Sequence, residues 1–259
     1  MLRIVTHIHA FHIDLLARLL PYAVSYTGSD LIITVDTKSK ASLAHLLLKE
    51  FALKAEVIVV GNYGRDLGAL FQIWYTTIHP FYSHVIHLHT KRSVHIDSSI
   101  SMAWLDYMLS SINPAALLNS RQCIKLLTDG RVGMIMPTPN SLFNMTSWGE
   151  CFQGCRDLMK RMNIRLQSSR GLIYPAGSFL VLDVCSAHPL FDSIIISDFP
   201  AEPLANCGQF PHILERSLSI FIAQSKDILL SKPVEWSVEY RAVNEHILEF
   251  TCIRDVLIT

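Results

Sequence analysis

Through residues 1–90, short β-branched and aliphatic runs alternate with longer stretches whose apolar positions recur at helical spacing. Residues 2–6 predict a first strand, followed by His7, His9, Phe11 and His12. Residues 14–20 predict a helix that opens on Asp14 and is limited by Pro21. A second strand over 31–35 stops at Asp36, and Leu43, Leu46, Leu47 and Phe51 form the apolar stripe of a helix over 40–51. Residues 57–60 predict a third strand and 84–88 a fourth. Between them Leu67, Leu70, Phe71, Trp74 and Ile78 share one side of a helix for which Asp66 is the capping candidate. Strand and helix alternating in this way imply an α/β fold, Rossmann-like, with a mostly parallel central sheet and flanking helices.

Beyond residue 93 the pattern loosens. Helices are predicted over 100–112 and from Asn113-Pro114 to near Asp129-Gly130, the second with proline in its first turn. There follow a short strand over 132–136, a loop rich in Pro, Asn and Ser, and a helix from Trp148 through Arg161. A strand over 179–182, a helix over 211–223 and an edge strand over 234–241 complete the pattern. With no linker, repeat or low-complexity tract, residues 1–259 read as a single domain with a nucleotide-type half (1–93) and an irregular second half (94–259).

Composition narrows the partners. The 22 basic and 22 acidic side chains cancel, so no global field recruits nucleic acid or an anionic membrane. Of six cysteines only Cys151 and Cys155 are close, and a lone C-x-x-x-C is poor zinc spacing, which leaves buried free thiols. The N-terminus lacks the pattern of a signal peptide. No apolar run approaches the roughly 20 residues that span a bilayer, so a soluble, intracellular protein with at most peripheral membrane contact is expected.

The candidate chemistry lies at the ends of the predicted strands, where open α/β sheets bind ligands. No G-x-G-x-x-G turn or Walker sequence is present, which argues against an ordinary dinucleotide or P-loop site. After the third strand, Asn62, Gly64, Arg65 and Asp66 form a turn where backbone amides and a planar guanidinium can meet a phosphate or a sugar; the alternative is a helix cap with Arg65 in water. At the fourth strand, His87 and His89 project to one side, as a metal pair would. No carboxylate lies beside them in sequence, and Lys91 and Arg92 repel a cation, so a diphosphate suits this cationic loop better; two satisfied core histidines are the remaining option. Gly177 and Ser178 precede a hydrophobic strand and permit close backbone approach, or simply start that strand. Glu202 stands between two prolines, and His212, Glu215 and Arg216 share one helical face that could equally be surface ion pairing.

The ordered set HIHAFHIDLL, GNYGRDLGAL, HLHTKRS, Trp104, VGMIMP, YPAGSFLVLD and HILERS resembles the rhamnan-synthesis protein F family of bacterial polysaccharide biosynthesis. Tyr63 within the N-x-G-R-D motif and residues 180–182 depart from the family pattern. The resemblance implies a glycosyltransferase-like protein of the GT-A type in rhamnose-containing glycan assembly. It places Asp36, Asn62, Arg65, Asp66, His87, His89 and Lys91 around the nucleotide, with H-L-H-T-K where the metal-binding D-x-D usually stands. No metal or other cofactor is expected. Lys91, Arg92 and Arg65 would neutralise the leaving diphosphate, and Glu202, with Asp198 as its rival, would be the catalytic base of an inverting transfer. His9, and in the second, acceptor half Trp104, Gly177, Ser178, His212, Glu215 and Arg216, are the substrate-binding candidates. The implied donor is a nucleotide sugar, dTDP-rhamnose, and the acceptor a glycan or lipid-linked glycan, with other polysaccharide-assembly enzymes as neighbours at the cytoplasmic face of the plasma membrane. Two other classes stand beside this reading: a non-catalytic glycan-binding or assembly subunit, and a metal hydrolase using the histidines.

Overall fold

Strand β1 (Ile4–His9) is buried along its whole length, as expected of a strand covered on both faces of a parallel sheet. It belongs to a computed structural model that describes residues 2–23, 29–92, 97–139, 147–166, 172–205, 207–233 and 248–252. β2 (Asp30–Val35), β3 (Glu56–Val59) and β4 (His84–His89) follow, and all pair in parallel in the order β3-β2-β1-β4. The crossovers contain α1 (Leu16–Ala23), α2 (Lys38–Glu50) and α3 (Arg65–Ile73). Strands and helices of this half therefore alternate as the hydrophobic pattern requires.

The second half continues the same sheet. Helices α4 (Ser98–Ser111), α5 (Pro114–Asn119) and α6 (Arg121–Thr128) lead to β5 (Val132–Pro137), then α7 (Phe152–Arg161), β6 (Leu180–Asp183), α8 (Val184–Asp192), α9 (Phe210–Ala223), β7 (Asp227–Pro233) and β8 (Leu248–Cys252). β6 lies between β4 and β5 and runs antiparallel to both; β7 is parallel to β5, and β8 antiparallel to β7. The described strands form one mixed, mostly parallel sheet in the order β3-β2-β1-β4-β6-β5-β7-β8, flanked by helices.

Several sequence expectations need correction. The second half is a regular extension of the sheet rather than irregular. β1 runs on to His9, so His7 and His9 are strand residues rather than its sequel. Pro21 does not end α1, because Leu16, Leu19 and Leu20 anchor the helix in the core and only one backbone bond is forfeited. On α2, Leu43 and Leu46 are exposed, the latter at 64%, and Ala44 and Leu48 face the core instead. The helix expected from Asn113 to Gly130 is two helices, and the second is re-capped by the Ser120 hydroxyl, which accepts from the Cys123 N–H. Cys123, Cys151 and Cys155 are buried free thiols, but Cys185 is exposed. The edge strand expected over 234–241 lies outside the described residues.

Candidate functional site

Parallel register aligns His7 with His87 and His9 with His89 across β1 and β4, and places Thr34 of β2 opposite His9. Since alternate residues of a strand share a face, all five side chains project from one face of the sheet at its carboxyl end. His7 Nδ1 lies 2.9 Å from His87 Nδ1, and its Nε2 lies 2.9 Å from Thr34 Oγ1, which is also 3.0 Å from His9 Nδ1. His89 donates from Nε2 to the Gly177 carbonyl at 2.7 Å.

Asp66 closes this cluster from above. Gly64 and Arg65 both have positive φ, 66° and 55°, a conformation glycine adopts without strain. The start of α3 is thereby tucked against the preceding loop. A Cβ on Gly68 would stand 1.9 Å from the Tyr63 carbonyl oxygen. The second residue of the helix, Asp66, then points at the sheet, its Oδ2 3.3 Å from His87 Nε2 and its Oδ1 4.0 Å from His89 Nδ1. Asp66 is therefore not the helix cap expected from sequence; Gly64 holds that position. The expectation that no carboxylate lies beside the histidines is likewise overturned, because the fold supplies one from a different element. Among the described residues no group of three or more His, Cys, Asp or Glu side chains is arranged to hold a metal ion. Both ring nitrogens of His7 and of His87 are committed to protein partners.

A cationic group borders the cluster. Lys91 follows β4 with Nζ 4.1 Å from the centroid of the Trp104 ring, and its aliphatic stem runs past Gly177. The close backbone approach expected at Gly177 is thus made by Lys91. Gly177, at φ 81°, donates its N–H to Glu215 Oε1 at 2.6 Å, and Ser178 Oγ donates to the same oxygen at 3.4 Å. Glu215 and Arg216 on α9 are 9% and 6% exposed, so they are not a surface ion pair. Arg216 donates to Tyr174 Oη at 2.9 Å and to the carbonyls of Ser147 and His212.

Arg65 joins α3 to the loop before α9. It donates to His212 Nε2 at 3.0 Å and to the carbonyls of Leu204 and Ala205, and its Nε is 3.8 Å from Glu202 Oε1. The Tyr63–Ala201 bridge and the bond from the Glu202 N–H to the Asn62 carbonyl bring Glu202 beside this turn. Glu202 Oε2 accepts from the Leu204 N–H, while Asn62 is exposed and meets Glu202 through its backbone carbonyl. Asp36, at the end of β2, is held by Lys40 at 2.6 Å. Arg92 pairs with Asp14, and Asp198 with Arg161 at 3.0 Å. His7, Thr34 and Tyr174 were absent from the sequence-derived set. The H-I-H spacing in the first strand, matching H-L-H in the fourth, was the available signal for His7.

Burial dominates the electrostatics. It lowers His7 well below the ordinary imidazole value, His9 to about 3 and His89 to about 4, each opposed by the Asp66 carboxylate. His212 is lowered to about 4, by burial and then by Arg65. Burial alone would raise Asp66, yet His89, His87 and His9 together hold it well below the carboxylate range. Lys91 is lowered by burial against the pull of Glu215, and Glu215 is raised by burial against Arg216 and Lys91. These shifts set the acid stability. A histidine buried neutral binds its proton only on unfolding, so its contribution is full above the ordinary value of 6.5 and is lost as pH falls toward the folded value. Each of His7, His9 and His89 should cost about 1.4 kcal/mol per pH unit in that window. Urea midpoints should be level above pH 7 and fall steeply between 6.5 and about 4. Equal midpoints at both ends of that window would show that these imidazoles are not held neutral.

Against this geometry, the family model of rhamnan synthesis protein F matches residues 1–228. The chain belongs to the rhamnan synthesis protein F family. No match is found among curated proteins. Family membership implies a part in rhamnan synthesis, and hence in polysaccharide biosynthesis. The matched span contains every residue of the cluster, from His7 to Arg216. Among the described residues of this rhamnan synthesis protein, no helix is long and apolar enough to cross a membrane.

Proposed function

We propose that the chain is a GT-A-type glycosyltransferase that moves a deoxyhexose, rhamnose, from a nucleotide sugar such as dTDP-rhamnose to a cell-surface polysaccharide by a metal-independent, inverting reaction. The observation that carries this reading is the position of Lys91. It is a half-buried cation at the carboxyl end of β4, where the GT-A plan usually has a metal-binding carboxylate pair, backed by the Trp104 face and bordered by Arg65. A cation fixed in a water-poor cleft stabilises developing negative charge far better than one in solvent. The nitrogens of His7 and His87 already have protein partners, so a metal there would have to break existing hydrogen bonds.

In the proposed reaction the acceptor hydroxyl gives its proton to Glu202 as its oxygen attacks the anomeric carbon. The carbon–oxygen bond to the diphosphate breaks, its electron pair leaves with the phosphate, and Lys91 meets the new charge. Arg65, whose donors are committed to His212 and to two carbonyls, contributes as a nearby charge and by holding Glu202 in place. The acceptor would be a glycan or lipid-linked glycan at the cytoplasmic face of the plasma membrane, alongside other assembly enzymes. That commitment of Arg65 also favours a second reading, a non-catalytic glycan-binding or assembly subunit.

Calorimetric titration with dTDP-rhamnose, with and without chelator, tests the proposal together with a transfer assay. Binding and transfer should both survive excess chelator. A strict need for manganese or magnesium, with the ion on His87 and His89, would overturn the metal-independent mechanism. Binding without transfer to any rhamnan acceptor would favour the subunit.

A further inference from the structure

The histidine cluster has a direction. Asp66 is a carboxylate and can only accept, so His87 must donate from Nε2. A neutral His87 then presents a lone pair at Nδ1, and His7 must donate to it from its own Nδ1. That leaves His7 Nε2 as an acceptor, and the only hydrogen available to it is that of the Thr34 hydroxyl. Thr34 has one hydrogen to give, so toward His9 its oxygen can only accept, and His9 donates from Nδ1. The last atom, His9 Nε2, is left with a lone pair and has no hydrogen-bond partner among the described residues.

We propose that the buried chain Asp66–His87–His7–Thr34–His9 fixes His9 Nε2 as a hydrogen-bond acceptor for a hydroxyl or imide N–H of the bound nucleotide. This rests on the nucleotide-sugar reading and deepens it. The placement follows from the sheet order. Lys91 leaves β4 on one side of β1, and Asp36 ends β2 on the other. A ligand whose diphosphate meets Lys91 and whose other half reaches toward Asp36 must cross the end of β1, where His9 stands. His9 is 5% exposed and His7 and His87 are fully buried, so solvent does not scramble the tautomers. Burial holds His7 and His9 neutral, so each has one donor and one acceptor nitrogen. The opposite order of donors, with His87 donating to His7 from Nδ1, would turn His9 Nε2 into a donor. The direction is therefore a measurable property.

Long-range proton–nitrogen spectra of the full chain, labelled in its imidazole nitrogens, read the tautomers directly. In the free protein His9 should show a protonated Nδ1 and an unprotonated Nε2. Thr34→Val keeps the β-branched shape and removes the link, so His9 should become a tautomer mixture; Thr34→Ser should restore the single form. With dTDP, UDP and CDP as probes, a preference for dTDP and UDP over CDP identifies an imide donor, which CDP lacks. A preference for UDP and CDP over dTDP identifies the ribose 2′-hydroxyl. In either case Thr34→Val should weaken the preferred nucleotide by about three- to tenfold, the scale of one hydrogen bond. A protonated Nε2 on His9 in the free protein would overturn the assignment, as would spectra and affinities unchanged by Thr34→Val. Should the wild-type chain bind none of the three nucleotides, the nucleotide reading falls and the ligand half of this inference falls with it, while the spectra still decide the chain's direction.

Discussion

Glu202→Gln should bind dTDP-rhamnose like the wild-type chain and lose about a hundred- to ten-thousandfold in transfer rate, the usual contribution of a positioned general base. The amide keeps the shape of the side chain, and its oxygen can still accept from the Leu204 N–H as Glu202 Oε2 does. What it cannot do is take a proton. Among the described residues Glu202 Oε1 accepts no hydrogen bond and lies 3.8 Å from Arg65 Nε, so one lone-pair face of the carboxylate is uncommitted. Asp198, the other acidic residue of that loop, is tied to Arg161 and to the Ile195 N–H, and Asp198→Asn should leave transfer near the wild-type rate. A Glu202→Gln chain that elongates acceptor at the wild-type rate would remove Glu202 from the reaction.

The second large effect concerns Lys91. Lys91→Met keeps a flexible apolar stem beside Gly177 and Trp104 and removes only the charge. Loss of one preorganised group facing developing charge costs about a hundredfold or more in rate. The ground-state diphosphate is already charged, so donor affinity should fall as well. Arg65→Ala acts differently, because it releases His212 and two carbonyls at once, and should lower the unfolding midpoint along with turnover. If Lys91→Met turns over at the wild-type rate with unaltered donor affinity, the lysine is a structural cation on an aromatic ring and the diphosphate binds elsewhere.

Much of the first half was legible because period-two and period-3.6 patterns change cleanly at each boundary. The second half was less so. β6 enters between β4 and β5, antiparallel to both, and nothing local in L-V-L-D encodes its neighbours. The site divides along the same line. His87 and His89 were readable as a same-face pair, because strand alternation is a local property. That His7 meets His87, and Thr34 both His7 and His9, depends on inter-strand register, which is set by distant packing. Asp66 was misread because an acidic residue in a first helical turn is usually a cap; the positive φ of Gly64 and Arg65 turns it toward the sheet instead. The spacing of His212, Glu215 and Arg216 correctly put them on one helix, but spacing cannot say whether their face meets water or the core.

The insertion of β6 has a consequence for synthesis on the ribosome. Domains tend to form from the N-terminus as the chain emerges, and β3-β2-β1-β4 can pair as soon as residue 89 is free. At that stage the far edge of β4 is bare, an apolar strand with unpaired amides and carbonyls, which is the kind of surface that recruits other nascent chains. Its partner, β6, is encoded about ninety residues further on, so at elongation rates of about 5–20 residues per second the edge stays open for several seconds. Chaperone demand in the producing cell should therefore concentrate in that interval and end when Leu180–Asp183 clears the exit tunnel.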